Sequence, residues 1–69
     1  MITKSLIIKT RLRLGETQTE FAKHFGVNQS TIHRWETGKL PIEGIIAHGV
    51  EAVLARLSYV YVDRQKASQ

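Results

Sequence analysis

The chain's 69 residues, 42% of them hydrophobic, allow one small globular domain, whose core is marginal enough that oligomerisation is a common supplement. Without cysteine there is neither a disulfide framework nor a thiolate metal site, which suits a reducing cytoplasm, and Leu6-Ile7-Ile8 is too short for an export signal or a membrane span. Ten Lys and Arg against six Asp and Glu leave a charge of +4, a balance that favours a polyanionic partner without identifying one.

The first predicted helix starts after Thr3, a good N-cap, and runs to Leu14 with Gly15 as its stop. Ile7, Thr10, Arg11 and Leu14 fall at i, i+3, i+4 and i+7 and share a face; Leu6 and Ile8 add more apolar surface than one stripe needs. Arg11 on that face requires a partner, because burying an unpaired guanidinium is costly. Thr17 and Glu20 form a Thr-x-x-Glu capping box, so a second helix starts at Gln18. It presents Phe21, Ala22 and Phe25 inward and ends at Gly26. Val27 is an apolar turn residue. Asn28 caps a third helix from Gln29 to about Glu36, whose only large apolar residues are Ile32 and Trp35. Its other face carries Gln29, Ser30, His33 and Arg34, all able to hydrogen-bond, and Gly38 ends it.

Lys39-Leu40-Pro41 reads as a connector. A short helix from Ile42 to His48, with Ile45 and Ile46 buried and Gly49 as its end, would precede another from Val50 to Leu57, where Val50, Val53, Leu54 and Leu57 form a stripe. That gives an all-α, compact five-helix bundle, unless the glycines are absorbed into one longer bent helix. Tyr59-Val60-Tyr61-Val62 is β-branched and aromatic, a composition that favours extended structure. It reads as a helix continuation, a strand pairing with a second copy, or an extended tail; Asp63 to Gln69 is a polar terminus. The resulting division is a helical domain over 1–58 and a tail over 59–69 as a candidate dimerisation segment.

The stretch from Ile7 to Pro41 resembles the helix-turn-helix of the phage repressor and Cro family, the XRE family. The resemblance rests on Thr17-Gln18, Glu20, Phe21-Ala22, Gly26-Val27, Gln29-Ser30-Thr31-Ile32, Trp35-Glu36 and Gly38-Lys39, all in register. It implies a lambda-repressor-like fold, a third helix that enters the major groove, and an ion pair between Arg11 and Glu36. It also implies phosphate contacts at Gln18, Thr37 and Lys39. Glu16 departs from the family, which usually has a leucine there to staple the first helix to the second; a glutamate beside a helix N-terminus is at least electrostatically favoured.

In a major groove, the Gln29 amide can pair with adenine, and Arg34 with guanine or a phosphate. Ser30 is a candidate base contact, Thr31 a backbone contact or packing residue, and His33 meets DNA or water. Trp35, Ile32, Phe21 and Phe25 belong to the core by their spacing. His24, His33 and His48 have no metal-ligand spacing, and Ser5, Ser30 and Ser58 lack a local His-Asp arrangement, so neither catalysis, a metal nor another cofactor is expected. The sequence therefore points to a sequence-specific transcriptional regulator, most simply a Cro-like repressor acting as a homodimer on a near-palindromic operator. No membrane association or small-molecule ligand is expected. The alternatives are a restriction-modification controller, or an antitoxin or accessory interaction module that works through Tyr59–Val62.

Overall fold

The computed structural model describes residues 2–67, with side chains to residue 59. Its helices are α1 (Lys4–Leu14), α2 (Gln18–Phe25), α3 (Gln29–Thr37) and α4 (Gly44–Ala67). The first three begin at the anticipated caps: Thr3 Oγ1 accepts from the Leu6 N–H at 3.2 Å, Thr17 Oγ1 from the Glu20 N–H at 3.1 Å, and Asn28 Oδ1 from the Thr31 N–H at 3.2 Å. The capping box closes reciprocally, with the Thr17 N–H donating to the Glu20 carboxylate at 2.9 Å. Those hydrogen bonds hold the Glu20 carboxyl below its ordinary value. At Gly26, φ is 67°, a left-handed conformation that reverses the chain between α2 and α3 at little steric cost.

Ile7, Phe21 and Ile32 are fully buried, one from each of the first three helices, and Ala22, Trp35, Val50 and Leu57 complete the centre of the core. Phe25 packs edge-on against both Phe21 and Trp35, with ring centroids 5.0 and 5.5 Å apart, the arrangement that aromatic quadrupoles favour. Ile2, ahead of α1, is also buried; isolated before the helix, it belongs to no stripe from which the sequence could reveal it. Burying each large side chain contributes about 1.5–3 kcal/mol, so a core of this size relies on every member.

Beyond α3 two expectations are corrected and one set of alternatives is narrowed. The described residues form four helices, not five, because Gly44 opens α4 and Gly49 lies within it. Ala47, Val50, Leu54 and Leu57 keep one inward stripe running past Gly49, so burial favours continuing the helix. Ile45 and Ile46, expected in the core, are 89% and 58% exposed. Of the three readings of Tyr59–Val62, the strand and the extended tail are set aside and the helix continuation holds, since the backbone is continuous with α4 to Ala67. Helix propensity disfavours β-branched and aromatic residues by only a few tenths of a kcal/mol each, about 0.7 at most, too little to stop an established helix. The polar terminus is therefore helical to Ala67, and Ser68 and Gln69 lie outside the described residues.

Candidate nucleic-acid interface

The chemistry of the α2–α3 unit starts from an anchored carboxylate. Arg11 on α1 donates from Nε to Glu36 Oε2 at 2.7 Å and from Nη2 to Glu36 Oε1 at 3.1 Å, while its Nη1 donates to the Glu16 carbonyl at 3.1 Å. The side chains are 18% and 7% exposed, which makes this a two-bonded ion pair at the edge of the core. Burial pushes the Glu36 carboxyl upward, but hydrogen bonds from Arg11 and Gln18 and the Arg11 charge outweigh it and hold the group below its ordinary value. The bond to Glu36 is likewise the main cause that raises Arg11. The pairing implied by the resemblance is present.

Glu36 also reaches into the helix-turn-helix. Gln18 donates from Nε2 to Glu36 Oε1 at 3.0 Å, and Gln29 donates from Nε2 to Gln18 Oε1 at 2.6 Å. An ionised carboxylate can only accept, so Glu36 forces the Gln18 nitrogen toward itself and the Gln18 oxygen toward Gln29. That oxygen in turn fixes which end of the Gln29 amide faces α2. A chain of hydrogen bonds thus runs from α1 through Glu36 and Gln18 to the first residue of α3. The sequence offered both glutamines as separate contacts; their link depends on how α2 crosses α3.

The remaining candidates differ in how free they are. The Gln29 oxygen and one Gln29 N–H remain available, as does one N–H of Gln18. His33, Arg34 and Lys39 are exposed, and among the described residues none has a side-chain hydrogen bond. Ser30 and Thr31 hydroxyls both donate to Asn28 Oδ1, at 2.7 and 3.1 Å, which leaves them lone pairs to present. Thr37 Oγ1 donates to the Arg34 carbonyl at 3.3 Å. A phosphate oxygen accepts only, so Thr31 and Thr37 would each have to release a present bond before their hydroxyls could donate to one.

Glu16 resolves the corner where the family leucine is missing. Its carboxylate accepts from His24 Nε2, at 2.9 and 3.0 Å from the two oxygens, so a polar staple ties α2 to the α1–α2 turn. The sequence did not reveal this pair; the histidine lies eight positions on, and its proximity comes from the turn at Gly15. The carboxylates of this half of the chain, Glu16, Glu20 and Glu36, are therefore all engaged internally. Among the described residues Lys4, Lys9, Arg13, Lys23, Arg34 and Lys39 have no carboxylate within ion-pair distance. The positive charge is left for solvent or a partner.

A family model described as Helix-turn-helix matches residues 7–47, the stretch that runs from within α1 through α2 and α3 to the start of α4. No curated relative and no solved structure matches the chain. Among the described residues no helix is long and apolar enough to cross a membrane, and no group of three His, Asp or Glu is placed to hold a metal ion. The matched stretch covers more than half of the chain and contains the whole capped α2–turn–α3 unit with its anchored glutamines: the chain belongs to the helix-turn-helix DNA-binding family of the phage repressor and Cro, or XRE, type, whose members are transcription regulators.

Proposed function

We propose that the chain is a sequence-specific Cro-like repressor that binds a near-palindromic operator as a two-fold dimer, with α3 in the major groove. The observation that carries this reading is the hydrogen-bond chain Arg11–Glu36–Gln18–Gln29. An adenine edge offers an N–H donor beside a nitrogen acceptor. Gln29, with one N–H committed to Gln18, still has the oxygen and the second N–H that this edge requires. The same orientation leaves Gln18 one N–H for a backbone phosphate at the start of α2, where the helix dipole also favours an anion. Arg34 reads guanine with two parallel bonds or falls back on a phosphate. Ser30, its hydrogen turned to Asn28, offers a base N–H an acceptor, and His33 borders the groove. Lys39, with Thr37 once its hydroxyl is released, contacts the backbone after α3, and Thr31 serves the cap first.

Size and surface support the dimer in this reading. One such module covers about 600–1,000 Å² of interface, and a two-fold pair would set its recognition helices about 34 Å apart on one side of the duplex. Ile46 and Leu40 line one apolar cleft with Phe25, Trp35 and Val53, and Ile45 beside Ile46 in the first turn of α4 is still more exposed. A second copy is the simplest cover for them, and the tail, helical from Tyr59 to Ala67 as part of α4, would join the pairing. Replacing Ile45 and Ile46 with Glu would then leave a folded monomer in sedimentation.

Selection of bound duplexes from a random pool at fixed, near-physiological salt tests the reading. A two-fold symmetric consensus with half-sites about one helical turn apart supports it. Sequence-blind binding that collapses with modest salt would reduce the activity to bulk charge and refute it.

A further inference from the structure

Lys4, the first residue of α1, lies outside the α2–α3 unit yet reaches it. A Cβ built on Gly38 would stand 3.7 Å from Lys4 Cδ, so the lysine stem crosses the bare backbone of the residue that ends α3. Gly38 holds a φ of 78°, and without a side chain it leaves that surface to the lysine. The ammonium is two bonds beyond Cδ, which puts it beside the turn that carries Thr37 and Lys39.

Among the described residues nothing accounts for a cation at this point. A lysine in the first turn of a helix gains nothing from the helix dipole, which favours acids there. The turn holds no acidic residue, and among the described residues no carboxylate lies within ion-pair distance of Lys4. A local rule broken without internal compensation is a mark of function. Lys4, whose stem crosses Gly38, and Lys39, the next residue in the chain, are both exposed and, among the described residues, without an ion-pair partner, at the exit of the helix proposed to enter the groove.

We propose that Lys4 is a further ligand for the nucleic-acid backbone, clamping with Lys39 a phosphodiester at the C-terminal end of α3. The proposal rests on the groove reading of α3 above. As a charge contact, Lys4 would set affinity and salt dependence while leaving base choice unchanged.

The test is fluorescence anisotropy of a labelled mixed-sequence duplex titrated with wild type, Lys4→Met and Lys4→Arg over a range of KCl concentrations. Methionine keeps the apolar stem on Gly38 and removes the charge. Each neutralised phosphate adds about 0.9 to the slope of log K against log salt on duplex DNA. Lys4→Met should therefore be shallower by about 0.9 per bound subunit and bind more weakly at low salt. Lys4→Arg should match wild type, and both variants should melt with it, since Lys4 is exposed. A steep wild-type slope that Lys4→Met leaves unchanged overturns the assignment, whether or not melting shifts, and spares the groove reading. A wild type that binds no duplex overturns the groove reading and this proposal with it.

Discussion

Removing either partner of the Arg11–Glu36 pair should destabilise the fold by a similar amount, and removing both should cost far less than the sum. Glu36→Ala deletes an acceptor of three hydrogen bonds, two from Arg11 and one from Gln18. It strands a guanidinium that is only 18% exposed and keeps one bond, to the Glu16 carbonyl. Breaking a buried pair costs about 3–5 kcal/mol. Because the guanidinium retains some contact with water, the low end, about 3 kcal/mol, applies. Arg11→Ala strands the carboxylate instead, but Gln18 still bonds it, so about 2–3 kcal/mol is expected. The double variant should lose about 3–4 kcal/mol, a coupling of roughly 2 kcal/mol. For a domain of this size each kcal/mol moves the melting temperature by about 4–8 °C, so Glu36→Ala should melt more than ten degrees low by that scale. Urea unfolding of wild type, both single variants and the double variant measures the cycle, and Glu36→Gln, which retains an acceptor, extends it if the alanine variant is unfolded. Additive losses, with coupling below about 0.5 kcal/mol, would refute the pair as the anchor of the hydrogen-bond chain.

Two other perturbations follow from the fold. Gly49→Ala should stabilise by about 0.5–1 kcal/mol through helix propensity, because Gly49 lies within α4 and an added Cβ meets nothing within 4 Å; an unchanged or lower urea midpoint would contradict the single continuous helix. Acid should destabilise the protein, since Glu36 and Glu20 both have carboxyls held below their ordinary value of 4.5. A carboxyl with a depressed folded value adds stability that is complete above the unfolded value and lost as pH falls through the folded one. The urea midpoint should therefore be flat near neutrality and fall from about pH 5 downward, less steeply in Glu36→Gln; a midpoint that holds or rises in acid would contradict both pairings.

The first half of this chain is legible because its punctuation is chemical. Thr3, Thr17 with Glu20, and Asn28 satisfy free N–H groups at helix starts, and Gly15, Gly26 and Gly38 end helices, so α1 to α3 can be bounded residue by residue. Gly49 carries no such meaning. A glycine ends a helix only if it turns left-handed, and the buried stripe through Ala47, Val50, Leu54 and Leu57 decided against that. Ile45 and Ile46 show the limit of apolar pattern: composition marks them as hydrophobic but does not say that the first turn of α4 points them outward. At the site, Arg11 could be matched to Glu36 because a buried guanidinium demands a partner and the family supplies one in register. The bonds from Gln18 to Glu36, from Gln29 to Gln18 and from His24 to Glu16 were not legible. They depend on amide and imidazole orientations set by the crossing of helices and the turn at Gly15, quantities that no spacing rule encodes.

The central claim is that the anchored amide of Gln29 reads a base. The direct measurement is competition binding of wild type and Gln29→Ala to a selected operator and to operators substituted one base pair at a time under the first turn of α3, at one salt concentration. The account predicts that wild type discriminates against loss of one particular A·T pair by about 1–3 kcal/mol, and that Gln29→Ala binds that pair and its substitutes alike while keeping its preferences elsewhere. A Gln29→Ala protein with the full wild-type preference at every position would contradict it.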